Sequence, residues 1–401
     1  MRIGIIREGK TPPDKRVPFT PQQCKFIVDT YPEVELFIEK SPIRAFSDSQ
    51  YEVLGLNMVD DLSHVDVIFG VKEINIVDLI PNKTHFFFSH TIKEQPYNRA
   101  LLQAGIDKNV QLVDYEVLTE PDGRRLVGFG RYAGIVGTYN AFIAFGVRTG
   151  RYTLKPANEC EDRKELESEL ANINVPNNYK IALTGLGRVA GGAIELLQKM
   201  GIKQVDTNSF LAGKFSEPVF TQLSVEDYFK KKDGGAFERN DAYKNAGEFD
   251  SDFVKYAKVA NMYIPCHFWD AEGPFIFSKE DLASPEFNIE VIADISCDIA
   301  GPIPSTIRPS TVAKPIYEVN KKTLQEVKLS SKDSITVMAV DNLPCELPKD
   351  ASEDFGGELI NSILPALLGD DQDSIIDRAT IAKNGDLNSH FEYLRAYLEG
   401  E

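Results

Sequence analysis

Short apolar runs alternate with amphipathic segments from the start of the chain. Ile3 to Ile6 precedes Pro21 to Thr30, Val34 to Ile38 precedes Ser47 to Leu54, and Val65 to Val71 and Phe86 to Phe88 follow. Apolar runs this short predict strands, and their alternation with helical periodicity predicts an α/β sheet. The helix at Pro21 has a defined start: Thr20 can cap it, Pro21 suits the first turn, and Gln23 completes a capping-box spacing.

Tyr132 to Val147 is the least polar stretch, but Thr138, Tyr139 and Asn140 interrupt it. It falls short of the roughly 18 to 20 apolar residues that a membrane span needs, so it reads as a buried, glycine-containing helix. From Thr153 to Asn178 the chain turns charged and weakly apolar, which predicts one solvated helix and a crossing between domains. A second α/β pattern begins at Tyr179 to Thr184 and runs through Val291 to Ile295. Ile335 to Val340 and a helix from Ser352 to Leu368 read as the return.

The predicted fold is therefore α/β, with two Rossmann-like domains, a cleft between them and a discontinuous first domain. Residues 1–150 plus 341–401 are expected to form the substrate and catalytic domain, and 151–340 the dinucleotide-binding domain. Ser224 to Asp252 is polar, charged and tyrosine-containing, and reads as a surface excursion outside the sheet.

Composition narrows the partners. A length of 401 residues suits two cores better than one, and a formal charge of -17 opposes nucleic-acid and anionic-membrane surfaces. Five widely spaced cysteines without a CxxC pair predict reduced thiols and no zinc site. The first residues, MRIGIIREGKTPPDKR, lack the apolar core of a secretory signal, so a cytoplasmic location is expected. Oligomeric state is expected to be monomer or homodimer.

One local motif stands out. Lys180 to Thr184 runs directly into Gly185-Leu186-Gly187-Arg188-Val189-Ala190 and then the apolar helix Ala193 to Met200. Gly185 permits a tight turn, Gly187 lets a pyrophosphate approach the backbone, Ala190 keeps helix and strand close, and the helix N-terminus attracts the anion. Asp206 follows Gly185 by 21 residues, near where a carboxylate would bind a ribose 2'-hydroxyl, which favours NAD. Arg188 could equally bind pyrophosphate or tolerate the 2'-phosphate of NADP. Asp294, Asp341 and Leu343 follow apolar strands and are further candidates for the cofactor site, the ordinary alternative being turn and cap duty. A metal is not expected.

Lys72 and His90 each follow a strongly apolar strand. Ligands of open α/β sheets gather outside the carboxyl ends of strands, so these two can share one edge of a cleft. A desolvated lysine and a histidine form a plausible acid–base pair. Lys10, Arg16, Arg124, Arg125 and Arg131 lie near predicted strand or turn ends and suit a ligand with several carboxylates, or else pair with Glu8 and Glu116. Cys266-His267, beside Phe268 and Trp269, reads as core packing ahead of a nucleophile.

The segments GVKE, FFSHTIK, LVDYE, GRRLVGFGRYAG, TGLGRVAGG, ADISCD and AVDNLPCELPKDASEDFG, in that order, resemble the lysine-forming saccharopine dehydrogenases and the related lysine-ketoglutarate reductase domains, within the alanine dehydrogenase and transhydrogenase superfamily. The resemblance implies an NAD(P)-dependent oxidoreductase acting on a CH–NH bond in lysine metabolism: saccharopine is cleaved to L-lysine and 2-oxoglutarate, or formed from them. It carries acid–base roles to Lys72 and His90, substrate binding to Lys10, Arg16, Lys93 and Arg125, and tuning roles to Glu73 and Glu116. The excursion at Ser224 to Asp252 and the wording FFSHTIK look more like the reductase domains, which use NADPH. NAD is expected, with NADP possible. Other readings are another alanine-dehydrogenase-like enzyme or a non-catalytic dinucleotide-binding regulator.

Overall fold

The computed structural model describes residues 1–400. The chain divides into two compact units: unit 1 comprises 1–129 and 348–401, and unit 2 comprises 130–347. Residues 130–150 and 341–347, which the sequence pattern assigned to the first domain, pack within unit 2.

Unit 1 is built on β1 (Arg2–Ile5), β2 (Glu35–Glu39), β3 (Asn57–Val59), β4 (Val67–Phe69), β5 (Thr84–Phe87) and β6 (Gln111–Asp114). These six are parallel and lie in the order 3-2-1-4-5-6. Thr380–Lys383 then pairs antiparallel with β6, and Asp386–Leu387 extends the edge. The apolar run of β4 is buried along its whole length, as a central parallel strand covered on both faces requires. Phe69 and Phe86 stack at 4.7 Å across β4 and β5. The capping box at Thr20 forms, with the Thr20 backbone N–H donating to Gln23 Oε1 at 2.9 Å. Strand order reverses between β1 and β4, so the crevice outside their carboxyl ends is the topological switch point of this sheet.

Unit 2 carries β7 (Lys180–Thr184), β8 (Lys203–Gln204), β9 (Val219–Leu223), β10 (Phe229–Lys231), β11 (Phe249–Ser251), β12 (Met262–Pro265), β13 (Val291–Ala293), β14 (Ile316–Asn320), β15 (Glu326–Val327) and β16 (Ser334–Met338). Its main sheet has the order 15-14-16-13-12-7-9-8, with β14 and β15 antiparallel to their neighbours. β10 and β11 form a separate two-stranded sheet. The excursion therefore stays outside the main sheet, yet it is not wholly solvated: Val225, Tyr228, Ala242 and Phe249 join the apolar core of the unit.

The helix after the glycine loop starts earlier than its apolar periodicity suggests, at Arg188, and ends at Lys199. It packs against the long helix Gly130–Thr149 with backbones nearly touching. A Cβ on Gly134 would sit 1.9 Å from the Val189 carbonyl oxygen, and one on Gly192 would sit 1.9 Å from that of Arg131. Only glycine permits that approach, and it fixes the helix whose N-terminus faces the loop. Among the described residues no helix is long and apolar enough to cross a membrane, and no cluster of metal-ligating side chains occurs.

Candidate functional site

In unit 1 the carboxyl ends of four adjacent parallel strands deliver the candidate residues: Glu8 and Lys10 after β1, Lys72 and Glu73 after β4, His90 and Lys93 after β5, and Glu116 after β6. Glu73 is the hub. Its Oε1 accepts from His90 Nδ1 at 2.6 Å, and its Oε2 accepts from Lys10 Nζ at 2.6 Å. Burial pushes its carboxyl up, but the hydrogen bonds from His90 and Lys10 outweigh that and hold it at about 2. An ionised Glu73 takes the Nδ1 proton of His90 as a hydrogen bond and leaves Nε2 as the atom able to exchange protons.

Lys72 is partly buried. Burial lowers its ammonium from the ordinary lysine range, and the nearby Arg16 and Lys10 cations lower it further. Its backbone is gripped by Glu8, whose two carboxyl oxygens accept from the Val71 and Lys72 N–H groups at 2.7 and 3.0 Å. Burial raises that carboxyl to about 7. In the sequence Glu8 reads only as an ion-pair neighbour; in the fold it positions the loop that carries Lys72. Its signal is a carboxylate three residues past an apolar strand.

Glu116 accepts from Arg125 Nη2 at 3.1 Å and lies 3.4 Å from Lys93 Nζ, all through Oε1, while its Oε2 is buried without a hydrogen-bond partner. Burial raises the Glu116 carboxyl, and Lys93 and Arg125 more than reverse the effect. Lys10, Lys93 and Arg125 keep roughly two-fifths of their side chains exposed, at 36, 45 and 44%. They are thus presented to a ligand.

Two predicted cations are placed differently. Arg16 is 2% exposed and grips Asp14 through Nε at 2.9 Å and Nη2 at 2.6 Å, with its guanidinium 4.2 Å from the centre of the Phe129 ring. A guanidinium buried and bidentately neutralised is held by its own loop, and it acts on the site through its field on Lys72. Arg131 lies in unit 2, where it binds Glu195 at 2.9 Å.

The second constellation is the glycine loop of unit 2. Gly185, Leu186, Gly187, Arg188 and Val189 line a cavity of about 470 Å³ together with Val225, Tyr228, Tyr243, Cys266, His267 and Phe268. Gly185 has φ of 106°, and a Cβ there would lie 2.6 Å from the Cys266 carbonyl oxygen. A Cβ on Gly187 would meet nothing within 4 Å, so space is open in front of the loop and the helix N-terminus that follows it. Open backbone, an N-terminal helix end and one arginine form a donor set that fits a pyrophosphate.

Asp206, Asp294, Asp341 and Leu343 are not among the lining residues. Asp206 follows β8, two strands away from β7, and caps the short helix after it through Ser209. β9, not β8, is the strand beside β7, and Ser224 follows it. Asp294 is fully buried, accepts from Thr306 Oγ1 at 2.6 Å and Cys297 N at 3.1 Å, and is raised to about 6 by burial. Asp341 is exposed, and Leu343 is packed within unit 2. Tyr228 and Tyr243 were missed because they sit in the polar excursion, where only their aromatic character marked them.

Residues 4–136 match the family model described as alanine dehydrogenase/PNT, N-terminal domain. Over its full length the chain superposes on an L-alanine dehydrogenase with a TM-score of 0.64 at 15% identity, covering 100% of this chain and 99% of the other. A transhydrogenase from Sinorhizobium meliloti follows at 0.59 and 13%, covering 96 and 98%. Residues 4–136 are thus similar to the N-terminal domain of that family, and the chain as a whole has the fold of the alanine dehydrogenase.

In sequence the chain is similar to saccharopine dehydrogenases and alpha-aminoadipic semialdehyde synthases. The chain is 26% identical to the alpha-aminoadipic semialdehyde synthase of Arabidopsis thaliana over 98% of its own length and 41% of the relative's. The mitochondrial enzyme of Bos taurus is also 26% identical, over 99 and 48%. The chain thus spans about half the length of these relatives or less. The NAD(+)-dependent, L-lysine-forming saccharopine dehydrogenase of Schizosaccharomyces pombe is 26% identical over 90% of this chain and 91% of its own.

Proposed function

We propose that this protein is a nicotinamide-dependent oxidoreductase acting on the CH–NH bond of an amino acid, and that it interconverts saccharopine with L-lysine and 2-oxoglutarate. The observation that carries this reading is the meeting of Lys72, Glu73, His90 and Glu116 at adjacent strand ends, ringed by the exposed cations Lys10, Lys93 and Arg125. A protein that only senses a dinucleotide needs neither group.

The chemistry asks for these residues in order. The secondary amine of saccharopine must lose its proton before its lone pair can drive hydride from the adjacent carbon, and Lys72, with its lowered ammonium, is suited to take that proton. The bound nicotinamide supplies the hydride acceptor. Water then adds to the substrate imine, and the resulting carbinolamine breaks its C–N bond to release the lysine amine and leave the oxo acid. His90, oriented by Glu73, has a free ring nitrogen to take the proton from water and return one to the departing amine. Lys10, Lys93 and Arg125 would exchange part of their pairing with Glu73 and Glu116 for the substrate carboxylates.

Gly185, Gly187 and Arg188 of unit 2 would hold the dinucleotide. NADP is favoured over NAD. The cavity lining contains Arg188 and no carboxylate, and the nearby acids are engaged: Glu226 by Arg239 and Asp227 by Ser224. This preference supports the reductive direction. A panel of amino acids and oxo acids with NADH and NADPH tests the reading. Consumption that requires lysine and 2-oxoglutarate together, faster with NADPH, is the expected result; consumption with pyruvate and ammonium instead would assign another substrate.

A further inference from the structure

The histidine beside the glycine loop has one ring nitrogen without a partner. His267 follows β12 and lines the same cavity as Gly185 and Gly187. Its Nδ1 lies 2.7 Å from Thr184 Oγ1, and that hydroxyl lies 3.0 Å from the Tyr263 hydroxyl. Nε2 is buried and meets no hydrogen-bond partner. His267 is 8% exposed, and Thr184 and Tyr263 are fully buried, so no solvent completes the chain of bonds. Burial depresses the imidazole to about 4, so the ring is neutral and carries one proton.

The position of that proton follows from counting donors. Tyr263 has a single hydrogen-bond partner, Thr184, so its hydroxyl proton is satisfied only if Tyr263 donates to Thr184. Thr184 then has its own proton to give, and the acceptor within reach is Nδ1 of His267. The ring proton must therefore sit on Nε2. The reverse order would strand the tyrosine proton, and a convergence of both neighbours on Thr184 would strand the threonine proton, each in a fully buried place. The relay leaves one donor unpaired, and it belongs to a residue that lines the cavity.

We propose that His267 Nε2–H is a dinucleotide-binding donor that hydrogen-bonds an oxygen of the pyrophosphate or its adjoining ribose, with Tyr263 and Thr184 fixing the tautomer that makes it a donor. This rests on the dinucleotide reading of the cavity. Gly185 and Cys266 touch closely enough that a Cβ at Gly185 would lie 2.6 Å from the Cys266 oxygen, so the histidine loop and the pyrophosphate loop form one wall. Cys266 and His267 are packed, as their apolar neighbours Phe268 and Trp269 suggested, but packing leaves the Nε2 proton unexplained.

The test pairs binding with spectroscopy on the full chain. Long-range ¹⁵N spectra of the imidazoles, with His267 assigned by its loss in His267→Gln, should show the Nε2-protonated tautomer, and its shift should move when ADP-ribose is added. His267→Leu should weaken ADP-ribose and NADPH by about tenfold or more, the worth of a hydrogen bond to a charged group, and His267→Gln by less. Tyr263→Phe should increase the Nδ1-protonated fraction. An Nδ1-protonated wild-type ring, or unchanged affinity in His267→Leu, overturns the proposal. Should His267→Leu fail to fold, the tautomer and its response to ADP-ribose decide. A wild-type protein that binds none of NADH, NADPH and ADP-ribose overturns the dinucleotide reading itself, which is a different failure.

Discussion

Glu73 holds His90 by a 2.6 Å hydrogen bond from Nδ1 and so fixes which face of the imidazole is free. The same carboxylate holds Lys10, which ties the proposed proton-transfer group to a cation expected to bind substrate. Glu73→Gln should therefore lower kcat by up to about 10²-fold and raise KM as well, since misplacing a catalytic group costs rates of that order. Steady-state kinetics beside a melting curve separate this effect from misfolding: an unaltered Tm with lost kcat is expected, and full activity would remove Glu73 from the site.

Lys72→Met and His90→Gln each remove a proposed proton-transfer group that follows a strand end. Each should reduce turnover by about 10² to 10⁴-fold while leaving affinity for NADPH within about twofold of wild type. The affinity is expected to hold because the cavity proposed to bind the dinucleotide is lined entirely by residues of unit 2. Rates and fluorescence titrations on the same preparations check both halves of the statement.

The backbone contact between the two glycine-bearing helices should be intolerant of even one methyl group. Gly134→Ala must displace Val189, whose carbonyl oxygen would lie 1.9 Å from the new carbon. A loss of about 3 kcal/mol is expected from overpacking a contact made of backbone. Because Val189 also lines the cavity, cofactor affinity should fall with stability. Urea unfolding and NADPH titration of the variant measure the two losses; Gly191→Ala, where a Cβ meets nothing within 4 Å, is the control expected to change little.

Much of this arrangement was legible in the chain because the chemistry follows abrupt ends of apolar strands. Val67–Phe69 stops at Gly70 and Thr84–Phe87 gives way to Ser89 and His90, so the polar residues had to emerge at the carboxyl edge of a sheet. The glycine loop was legible for the same reason, through the strand before it and the helix after it. What sequence spacing does not contain is strand order. Asp206 has the spacing of a ribose-binding carboxylate, but β8 pairs at the far edge of the sheet and β9 takes the place beside β7. Nor does spacing reveal that Arg16 is already claimed by a carboxylate two residues away, Asp14. His267 was legible as a packed residue; its unpaired nitrogen depends on Thr184 and Tyr263, which only the folded sheet brings beside it.

Glu8 gives a pH signature of stability. Burial raises its carboxyl from 4.5 to about 7, so the folded state keeps the proton that the unfolded chain releases between those values. Its contribution is present below pH 4.5 and is lost as pH rises through 7. Glu8→Gln cannot lose that proton, so its Tm relative to wild type should climb between pH 5 and 8. A constant difference across that range would mean that Glu8 is ionised in the folded protein throughout.

Isotope transfer probes the central claim most directly. With lysine, 2-oxoglutarate and NADPH deuterated at the transferable position of the nicotinamide, the account predicts a secondary-amine product with the mass of saccharopine in which one deuterium replaces hydrogen. The label should lie on the glutaryl carbon that bears the new C–N bond, and both product and label should disappear in Lys72→Met. A wild-type enzyme that binds NADPH, lysine and 2-oxoglutarate yet returns no labelled amine would contradict it.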